Sequence, residues 1–437
     1  MQKLALLMIV AVTTFDFLAK GDYWGRWSVL PSASQYVPEL LSVAALLAVV
    51  VLGVRSRFRD VQPKYWIIFA ALLLVIGCGI AANAVAAGPV FAGMRNYLRA
   101  IPWFLLPLVF VFTDDHIRTQ FRLLLLIGVI QIPLAFDQYF LTISRGYSFT
   151  GDWVAGTMGL SHTLTIFLLC AVCVAAALAA RRIIRPLHFL LIFLLLLLPT
   201  TINETKATFF LLPLGLSVAF LSAADPRRRL RMVVAAVAVV ALFLVVFVPA
   251  YDYVRKDRLY SAPLTEMLTD TQRMERYFWT KEGVGTVNEV GRGAAVVVAW
   301  QEVASDPTTL AFGFGIGNVS DSALGHGFVG RYSNTLGPFA KISFSLILLE
   351  LGLIGLLLVL SLMWMVASDS RVVARRAAGQ AGALAAGWVG VTAIMVASTL
   401  YMPVVAQTSL SYLYWFYSGI VVAQRARVPI PLRGLRT

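Results

Sequence analysis

Long apolar runs separated by short polar connections make up most of the chain. A helix needs about 20 mostly apolar residues to cross a hydrocarbon core roughly 30 Å thick, and shorter runs suffice where a helix is buried. By this criterion the pattern predicts twelve membrane-spanning helices. They lie near residues 4–19, 36–54, 65–85, 100–113, 121–141, 162–180, 188–202, 207–224, 232–250, 341–367, 379–401 and 409–424.

The composition excludes a water-soluble protein. Of the 437 residues, 59% are hydrophobic and only 13% are charged, whereas ordinary soluble domains have about 25% charged residues. The first apolar run contains Asp16, and an acidic residue there favours an uncleaved first span over a signal peptide. We therefore predict an all-α polytopic membrane protein with about 12 transmembrane helices.

Basic residues are concentrated in alternate connections between the predicted spans. These connections are short and hold more than half of the 36 basic residues, for example Arg55, Arg118, Arg181, Arg371 and Arg425. Short basic connections lie on the cytoplasmic side of a membrane, so we predict that both termini are cytoplasmic, in agreement with an even number of spans. The formal charge of +14 then reflects membrane orientation and does not indicate a nucleic-acid partner.

One connection, on the opposite face, is far longer than the others. It runs from about 251 to 340, and connections of this length are usually functional. Within it the pattern predicts a helix over 294–305 and a glycine-rich loop over 313–318. The chain is thus divided into spans one to nine (1–250), an outer-face loop domain (251–340), spans ten to twelve (341–424) and a cytoplasmic tail (425–437).

The three cysteines give no sign of a metal or redox centre. Cys78, Cys170 and Cys173 all lie inside apolar runs. The spacing of Cys170 and Cys173 places them one helical turn apart, and we interpret them as small buried residues. We predict no metal and no cofactor.

Basic residues on the outer face need an explanation, because the topological bias opposes them. Arg95 and Arg99 are four residues apart, so they share a helix face and suit a diphosphate; the alternative is that they extend to lipid headgroups. Lys206 lies in a polar turn between two apolar runs, which favours an anion site over a local ion pair with Glu204. Lys341 opens the tenth predicted span.

The order of motifs in the second half of the chain is more informative than any one of them. In sequence they are Gly291-Arg292, Trp300, Asp306-Pro307, Gly313-Phe-Gly-Ile-Gly-Asn318 and Glu350-Leu-Gly-Leu-Ile-Gly355. The glycine-rich motif lacks the strand and helix that a dinucleotide fingerprint requires. The order resembles the O-antigen ligase and polymerase superfamily of bacterial envelope glycan assembly. Thr205-Lys206-Ala207 lies where that family usually has Ser-Arg-Gly, and 95–107 resembles its arginine-bearing early span.

The resemblance implies a metal-independent glycosyltransferase at the periplasmic face of the bacterial inner membrane. Its donor would be a glycan on undecaprenyl pyrophosphate, and its acceptor a hydroxyl of another glycan. Lys206 and Arg292 correspond to two family arginines, which are expected to bind the pyrophosphate and stabilise its developing charge. The predicted substrate-binding set is Arg95, Arg99, Gly313, Gly315, Gly317 and Asn318, and the predicted structural set is Glu350, Gly352 and Gly355.

The sequence departs from the family at one important position. Lys341 stands where ligases in particular have a histidine that is a candidate base. Lysine is a poor base beside a pyrophosphate, because the anion favours its charged form, so we interpret Lys341 as a third cation. The base is left open between His326, which has flanking glycines, and proton loss to solvent. His162 opens the sixth predicted span on the same face, but no family motif lies beside it.

Several functions remain open at this stage. The missing histidine favours a polymerase, with a chain-length regulator as a possible partner, over a ligase to lipid A core. A peptidoglycan polymerase of the related shape, determination and division family fits the motif order less well. A twelve-helix transporter is a different class; against it, the spans hold few ionisable residues besides Asp137 and Glu350, and ion-coupled carriers need such groups.

Overall fold

The structure is a computed structural model that describes residues 1–22, 24–56, 58, 61–144, 152–203, 205–224, 229–255, 263–280, 290–322 and 324–427. Glu204, the residue weighed as a partner of Lys206, and residues 428–437 of the predicted tail lie outside the described residues. All regular secondary structure among the described residues is helical, as the apolar pattern predicts.

The described residues up to Arg255 form eleven α-helices. They are α1 (Gln2–Val10), which continues through the π-helical turn Ala11–Phe15 into α2 (Asp16–Lys20), α3 (Val37–Ser56), α4 (Pro63–Asn83), α5 (Ala87–Leu98), α6 (Ile101–Val109), α7 (Asp114–Ser144), α8 (Ser161–Ala180), α9 (Pro186–Ile202), α10 (Thr208–Ala223) and α11 (Arg229–Arg255).

The second half begins with short helices and ends with three long ones. The short helices are α12 (Leu264–Thr269), α13 (Thr271–Trp279), α14 (Arg292–Val303), α15 (Pro307–Phe312) and α16 (Ser333–Leu336), and the long ones are α17 (Ser343–Arg376), α18 (Gly379–Ser398) and α19 (Thr408–Arg427). The predicted helix at 294–305 corresponds to α14. The short helices pack on the spans, with α14 and α15 against α17 and α15 also against α4.

Among the described residues, eight helices are long and apolar enough to cross a membrane. They are Gln2–Lys20, Ser32–Arg55, Pro63–Asn83, Asp114–Ser144, Ser161–Ala180, Leu230–Tyr253, Ser343–Arg376 and Gly379–Ser398. The two apolar helices α9 and α10 are shorter. Every predicted span contains helix, so the multi-pass helical architecture is confirmed, and the count of twelve crossings stays a prediction.

The predicted span at 100–113 differs most from the structure. Only 101–109 is helical there, and nine residues rise about 14 Å, roughly half the thickness of a hydrocarbon core. The backbone leaves the helix at Phe110, which is extended. The apolar sequence favoured a span at this position, but the run is too short for one unless it joins a neighbouring helix.

The centre of the bundle is the Gly- and Ala-rich helix α18, which packs against α8, α10 and α17. A Cβ atom on Gly390 would lie 2.5 Å from the Gly215 carbonyl oxygen of α10, and one on Gly387 would lie 2.8 Å from Cα of Val174 in α8. Small residues allow helix backbones to approach this closely, and the gain in van der Waals contact holds membrane helices together. The sequence of α18 therefore explains its central position.

One end of the bundle joins the elements that carry the candidate cations. Asn203, at the end of α9, donates through Nδ2 to Thr165 Oγ1 at 2.7 Å near the start of α8. The N–H of Ser343, which begins α17, donates to the Met402 carbonyl at 3.0 Å just beyond α18. The connection 399–407 is thus held against α17 and lies beside the site described next.

Candidate functional site

Lys206 is held in a tightly bonded turn between α9 and α10. The buried amide of Asn203 joins this turn to α8: its Oδ1 accepts from the Thr205 N–H at 3.3 Å, and its Nδ2 donates to Thr165 Oγ1 near the start of α8. Thr208 Oγ1 donates to the Thr205 carbonyl at 2.8 Å. The Lys206 ammonium lies 5.9 Å from the centroid of the Tyr277 ring.

Arg292 approaches the same tyrosine from another part of the chain. It is the first residue of α14, and its guanidinium carbon lies 4.6 Å from the Tyr277 ring centroid and 4.4 Å from that of Tyr401. Its Nε donates to the Tyr401 carbonyl at 3.1 Å. A guanidinium near two aromatic faces is favoured by cation–π attraction. The structure therefore brings Lys206 and Arg292 together at one aromatic ring.

Close packing of α13 on α14 places Tyr277 at this point. The Gly291 N–H donates to the Thr280 carbonyl at 2.8 Å. A Cβ atom on Gly291 would lie 2.5 Å from the carbonyl carbon and oxygen of Phe278, and one on Gly293 would lie 3.0 Å from the same oxygen. The glycines on both sides of Arg292 thus allow the two backbones to meet.

The two tyrosines form a half-buried pair beside the cations. Their hydroxyls hydrogen-bond to each other, and burial raises the pKa of both Tyr277 and Tyr401 above the ordinary tyrosine value. The negative charge of Asp152 also raises the pKa of both tyrosines. The pair is a neutral surface against which the Arg292 cation packs.

His162 is a titratable group near this site that could accept a proton. It is the second residue of α8, and the charge of Arg292 acts on its imidazole. Its Nε2 is buried and has no hydrogen-bond partner among the described residues. Together, Lys206, Tyr277, Arg292, Tyr401 and His162 are called the Tyr277 cluster below.

Sequence reasoning missed the tyrosines and gave His162 little weight. Tyr277 and Tyr401 belong to no family motif, and their place beside Arg292 depends on tertiary packing. The one available signal was weak: tyrosines are enriched where helices meet the membrane surface, and Tyr401 is the last residue of the predicted span at 379–401.

Lys341 lies close to the connection that contains Tyr401. Its side chain is exposed, and it precedes the residues of α17 that bond this connection, where the Phe344 N–H donates to the Thr399 carbonyl at 2.9 Å. Its predicted role as a third cation stays a prediction.

Arg95 and Arg99 share a helix face, as their spacing predicts, and both face Glu39. Arg95 Nη2 lies 2.6 Å from Glu39 Oε1, and Arg99 Nη1 lies 3.7 Å from it. The buried Arg99 also donates to the Ala406 carbonyl, in the same connection as Tyr401. A protein carboxylate therefore occupies the position between these two cations.

The glycine-rich loop packs tightly against three helices. Gly313, Gly315 and Gly317 all have positive φ, from +70° to +90°, which glycine adopts without strain. A Cβ atom on Gly313 would lie 2.6 Å from the Leu349 carbonyl oxygen of α17, Gly315 packs on α4, and Gly317 meets Pro89 of α5. These glycines allow close backbone approach within the protein, and their contact with a substrate stays a prediction.

The remaining predicted residues of this region also bond the protein itself. Asn318 is buried, donates to the Phe314 carbonyl at 2.9 Å and accepts from the Arg331 N–H at 3.0 Å. The fully buried Glu350 accepts from the Ser320 N–H at 2.9 Å through Oε1. Gly352 has φ of +68° and kinks α17 where it meets Ala311, and Gly355 is buried one turn further on.

His326 lies with a different element. It is exposed and begins a short 3₁₀ turn. In this turn Gly327 packs on Gly88 at the start of α5, and the Phe328 ring lies 6.0 Å from that of Phe91. Arg292, in contrast, packs between α13 and the connection after α18. The structure therefore brings His162, rather than His326, within electrostatic range of Arg292.

Within the described part of the chain, no group of three His, Cys, Asp or Glu residues could hold a metal ion. No protein-family model matches this sequence, and the curated proteins contain no match to it. The fold defines the class as an all-helical, multi-pass membrane protein.

Proposed function

We propose that this protein is a glycosyltransferase of the O-antigen ligase and polymerase type. It transfers a glycan from undecaprenyl pyrophosphate to a hydroxyl of an acceptor glycan, at the periplasmic face of the bacterial inner membrane, with both termini in the cytoplasm. The observation that supports this best is the shared position of Lys206 and Arg292 at the Tyr277 ring. The family resemblance predicts that both residues bind the pyrophosphate, although they are far apart in the sequence.

The proposed chemistry is a displacement at the anomeric carbon of the donor sugar. The acceptor hydroxyl oxygen forms a bond to C1, and the bond from C1 to the pyrophosphate oxygen breaks. Undecaprenyl pyrophosphate leaves with the electron pair and gains negative charge. Lys206 and Arg292 bind this charge, and their effect is largest in the transition state because they are already positioned and lie in a site poor in water.

The acceptor hydroxyl must lose a proton in this reaction. We assign its acceptance to His162 Nε2, which is buried and has no hydrogen-bond partner among the described residues. The Arg292 charge acts on this imidazole and opposes its protonation, and the negative charge that develops on the departing pyrophosphate offsets this effect. The family resemblance implies a metal-independent reaction, so in this proposal side chains alone stabilise the leaving group. Lys341 adds a third cation from the start of α17, whereas Arg95 and Arg99 contribute less, since Glu39 offsets much of their charge.

Two observations favour an enzyme over an ion-coupled transporter. Asp137 forms an ion pair with Arg26, with 2.7 Å between the charged atoms, and Glu350 holds the backbone of Ser320. Asp137 is therefore ion-paired, and Oε1 of Glu350 is bonded to the protein backbone. Polymerase activity is the main proposal, and ligation to lipid A core uses the same donor chemistry with a different acceptor.

The test is transfer by the purified full-length protein in proteoliposomes with a radiolabelled undecaprenyl pyrophosphate-linked glycan. Lys206→Ala and Arg292→Ala are each expected to reduce the transfer rate about 100-fold or more, the effect of removing one preorganised group that stabilises an anion. Lys20→Ala and Arg331→Ala are matched controls, because Lys20 pairs with Asp16 and the Arg331 guanidinium lies 5.4 Å from the Tyr332 ring.

The products separate the alternatives. Growth of the lipid-linked glycan supports the polymerase, and transfer to added lipid A core supports the ligase. Movement of donor or solute across the bilayer without covalent change would contradict the enzyme and support the transporter. Full activity of both site variants would contradict the proposed mechanism, and an Arg292→Lys variant guards against a failure to fold, since it keeps the charge and loses only the planar fork.

A further inference from the structure

A large basic cavity lies at the end of the bundle opposite the Tyr277 cluster. Its volume is about 940 Å³, within the range of ligand pockets. The ends of α8, α10 and α17 and the starts of α11 and α18 form its walls. The helix ends that join the predicted cytoplasmic connections thus form a concave pocket rather than a flat surface.

Arginine dominates the polar lining of this cavity. The five arginines are Arg181, Arg182, Arg231, Arg371 and Arg375, and none of the described lining residues is Asp or Glu. Arg182, Arg231, Arg371 and Arg375 are exposed, and none of these four forms an ion pair with another described residue. Several unpaired guanidiniums around one cavity repel each other, so an anion bound there would be strongly favoured.

Two described carboxylates lie close to this region. Asp369, buried in α17, accepts hydrogen bonds from Lys64 and Tyr65, both at 2.7 Å. Asp114 is not a lining residue, but its Oδ2 lies 3.4 Å from the position that a Cβ atom would take on Gly379, which lines the cavity. The five lining arginines therefore outnumber the described carboxylates near the cavity, and Asp225, which follows the lining residue Ala224, lies outside the described residues.

Arg181 fixes one wall of the cavity. Its guanidinium donates to the carbonyls of Ala374 and Ala377 at the end of α17. It thus ties α8 to α17 and leaves binding to the other arginines. The lining also includes apolar side chains, among them Val218, Leu221 and Met232, which suit the upper part of an acyl chain more than a fully hydrated ion.

We propose that this cavity binds the headgroup of an anionic phospholipid that carries two phosphates, such as cardiolipin. Basic pockets between membrane helices on the cytoplasmic side recognise such headgroups. Four exposed guanidiniums can bind two phosphates, and the apolar lining can hold the adjoining acyl chains. The site is separate from the proposed glycosyl transfer and uses none of its residues.

The test is lipid retention by the purified full-length protein in detergent, measured by native mass spectrometry during titration with cardiolipin. The triple variant Arg231→Gln, Arg371→Gln, Arg375→Gln is expected to bind cardiolipin about 100-fold more weakly, because each basic residue near an anionic headgroup contributes a factor of about five. The matched control is Arg55→Gln, Arg185→Gln, Arg376→Gln. These three arginines are exposed, carry the same charge and do not line the cavity.

The control separates a built site from general attraction to negative lipid. The proposal would be overturned if both triple variants bound cardiolipin equally weakly, or if neither bound it more weakly than wild type. Further titrations with inorganic pyrophosphate and with phosphatidylcholine distinguish the source of the phosphate: weak binding of both supports the lipid assignment. If pyrophosphate bound as tightly as cardiolipin and the cavity variant lost this binding, the lipid assignment would be overturned. The cavity would then be a site for a soluble anion.

Discussion

At the scale of single residues, Arg292 belongs to the motif order that the sequence shows, and its side chain is held by contacts with neighbouring residues. Two aromatic rings and a backbone carbonyl fix its guanidinium, and each cation–π contact contributes about 0.5–2 kcal/mol. A side chain fixed in this way loses little further conformational entropy when the substrate binds, so the activation free energy of the reaction is lower. The sequence could identify Arg292 and Lys206 from the motif order, but not the tyrosine between them.

His162 gives the sharpest prediction about a single residue. In the proteoliposome assay, His162→Asn is expected to reduce the rate of transfer about 100-fold or more, the effect of losing a positioned base, with little change in donor affinity. His326→Asn is the matched control and is expected to keep near-normal activity, because His326 lies with α5. The opposite result, a large loss for His326→Asn and none for His162→Asn, would restore His326 as the base.

At the scale of helices, the packing of α13 on α14 decides where the Tyr277 ring lies. We expect Gly291→Ala to displace α13, because its new methyl group would lie 2.5 Å from backbone atoms of Phe278, and overpacking of this kind costs about 1–3 kcal/mol. Transfer activity is expected to fall at least ten-fold.

The control for this change is Gly327→Ala, which adds the same methyl group where no atom lies within 4 Å. It is expected to change neither thermal stability nor activity. If Gly291→Ala were as active as Gly327→Ala, the position of α13 would not matter for the site.

Asp306 gives a prediction about a helix start and its pH dependence. It is the N-cap of α15 and accepts from the Thr309 N–H at 2.9 Å, and this bond lowers the pKa of Asp306 below the ordinary aspartate value. A group with a lowered pKa stabilises the fold above the pKa of the unfolded chain, near 4, and loses this effect as the pH falls through the folded value.

The measurement is thermal unfolding of Asp306→Ala and of wild type from pH 8 to pH 3. We expect a lower melting temperature for Asp306→Ala at neutral pH, and a smaller difference below about pH 4. Asp306→Asn can still cap the helix through its amide oxygen and serves as the control. A difference that is constant across the whole range would show that the charge of Asp306 does not contribute.

Most helices could be predicted from the sequence, because hydrophobic length is a direct requirement of the bilayer. The region 100–113 was less predictable, since its apolar run does not reveal that Phe110 is extended. The positive φ of Gly352 was also hidden, because a glycine inside an apolar run is compatible with a straight helix. Such features depend on neighbours, here Ala311, that are distant in the sequence.

At the scale of the whole molecule, the two ends of the bundle carry different charge arrangements. One end brings Lys206 and Arg292 to an aromatic pair, and the other surrounds a cavity with arginines. The sequence predicted the separation of basic connections through the positive-inside rule. It did not predict that the arginines enclose a cavity, or that Glu39 lies between Arg95 and Arg99, because both depend on how helices pack.

The central claim is that Lys206 and Arg292 act together on one pyrophosphate, and a double-mutant cycle tests it most directly. The catalytic efficiency kcat/KM for the lipid-linked donor is measured for Lys206→Ala, Arg292→Ala and the double variant, with Lys206→Ala combined with Arg331→Ala as the control. Residues that act as a unit are strongly non-additive, so the double variant is expected to lose little more than either single one, whereas the control pair is additive. Losses that multiply for Lys206 and Arg292 as they do for the control pair would contradict the account.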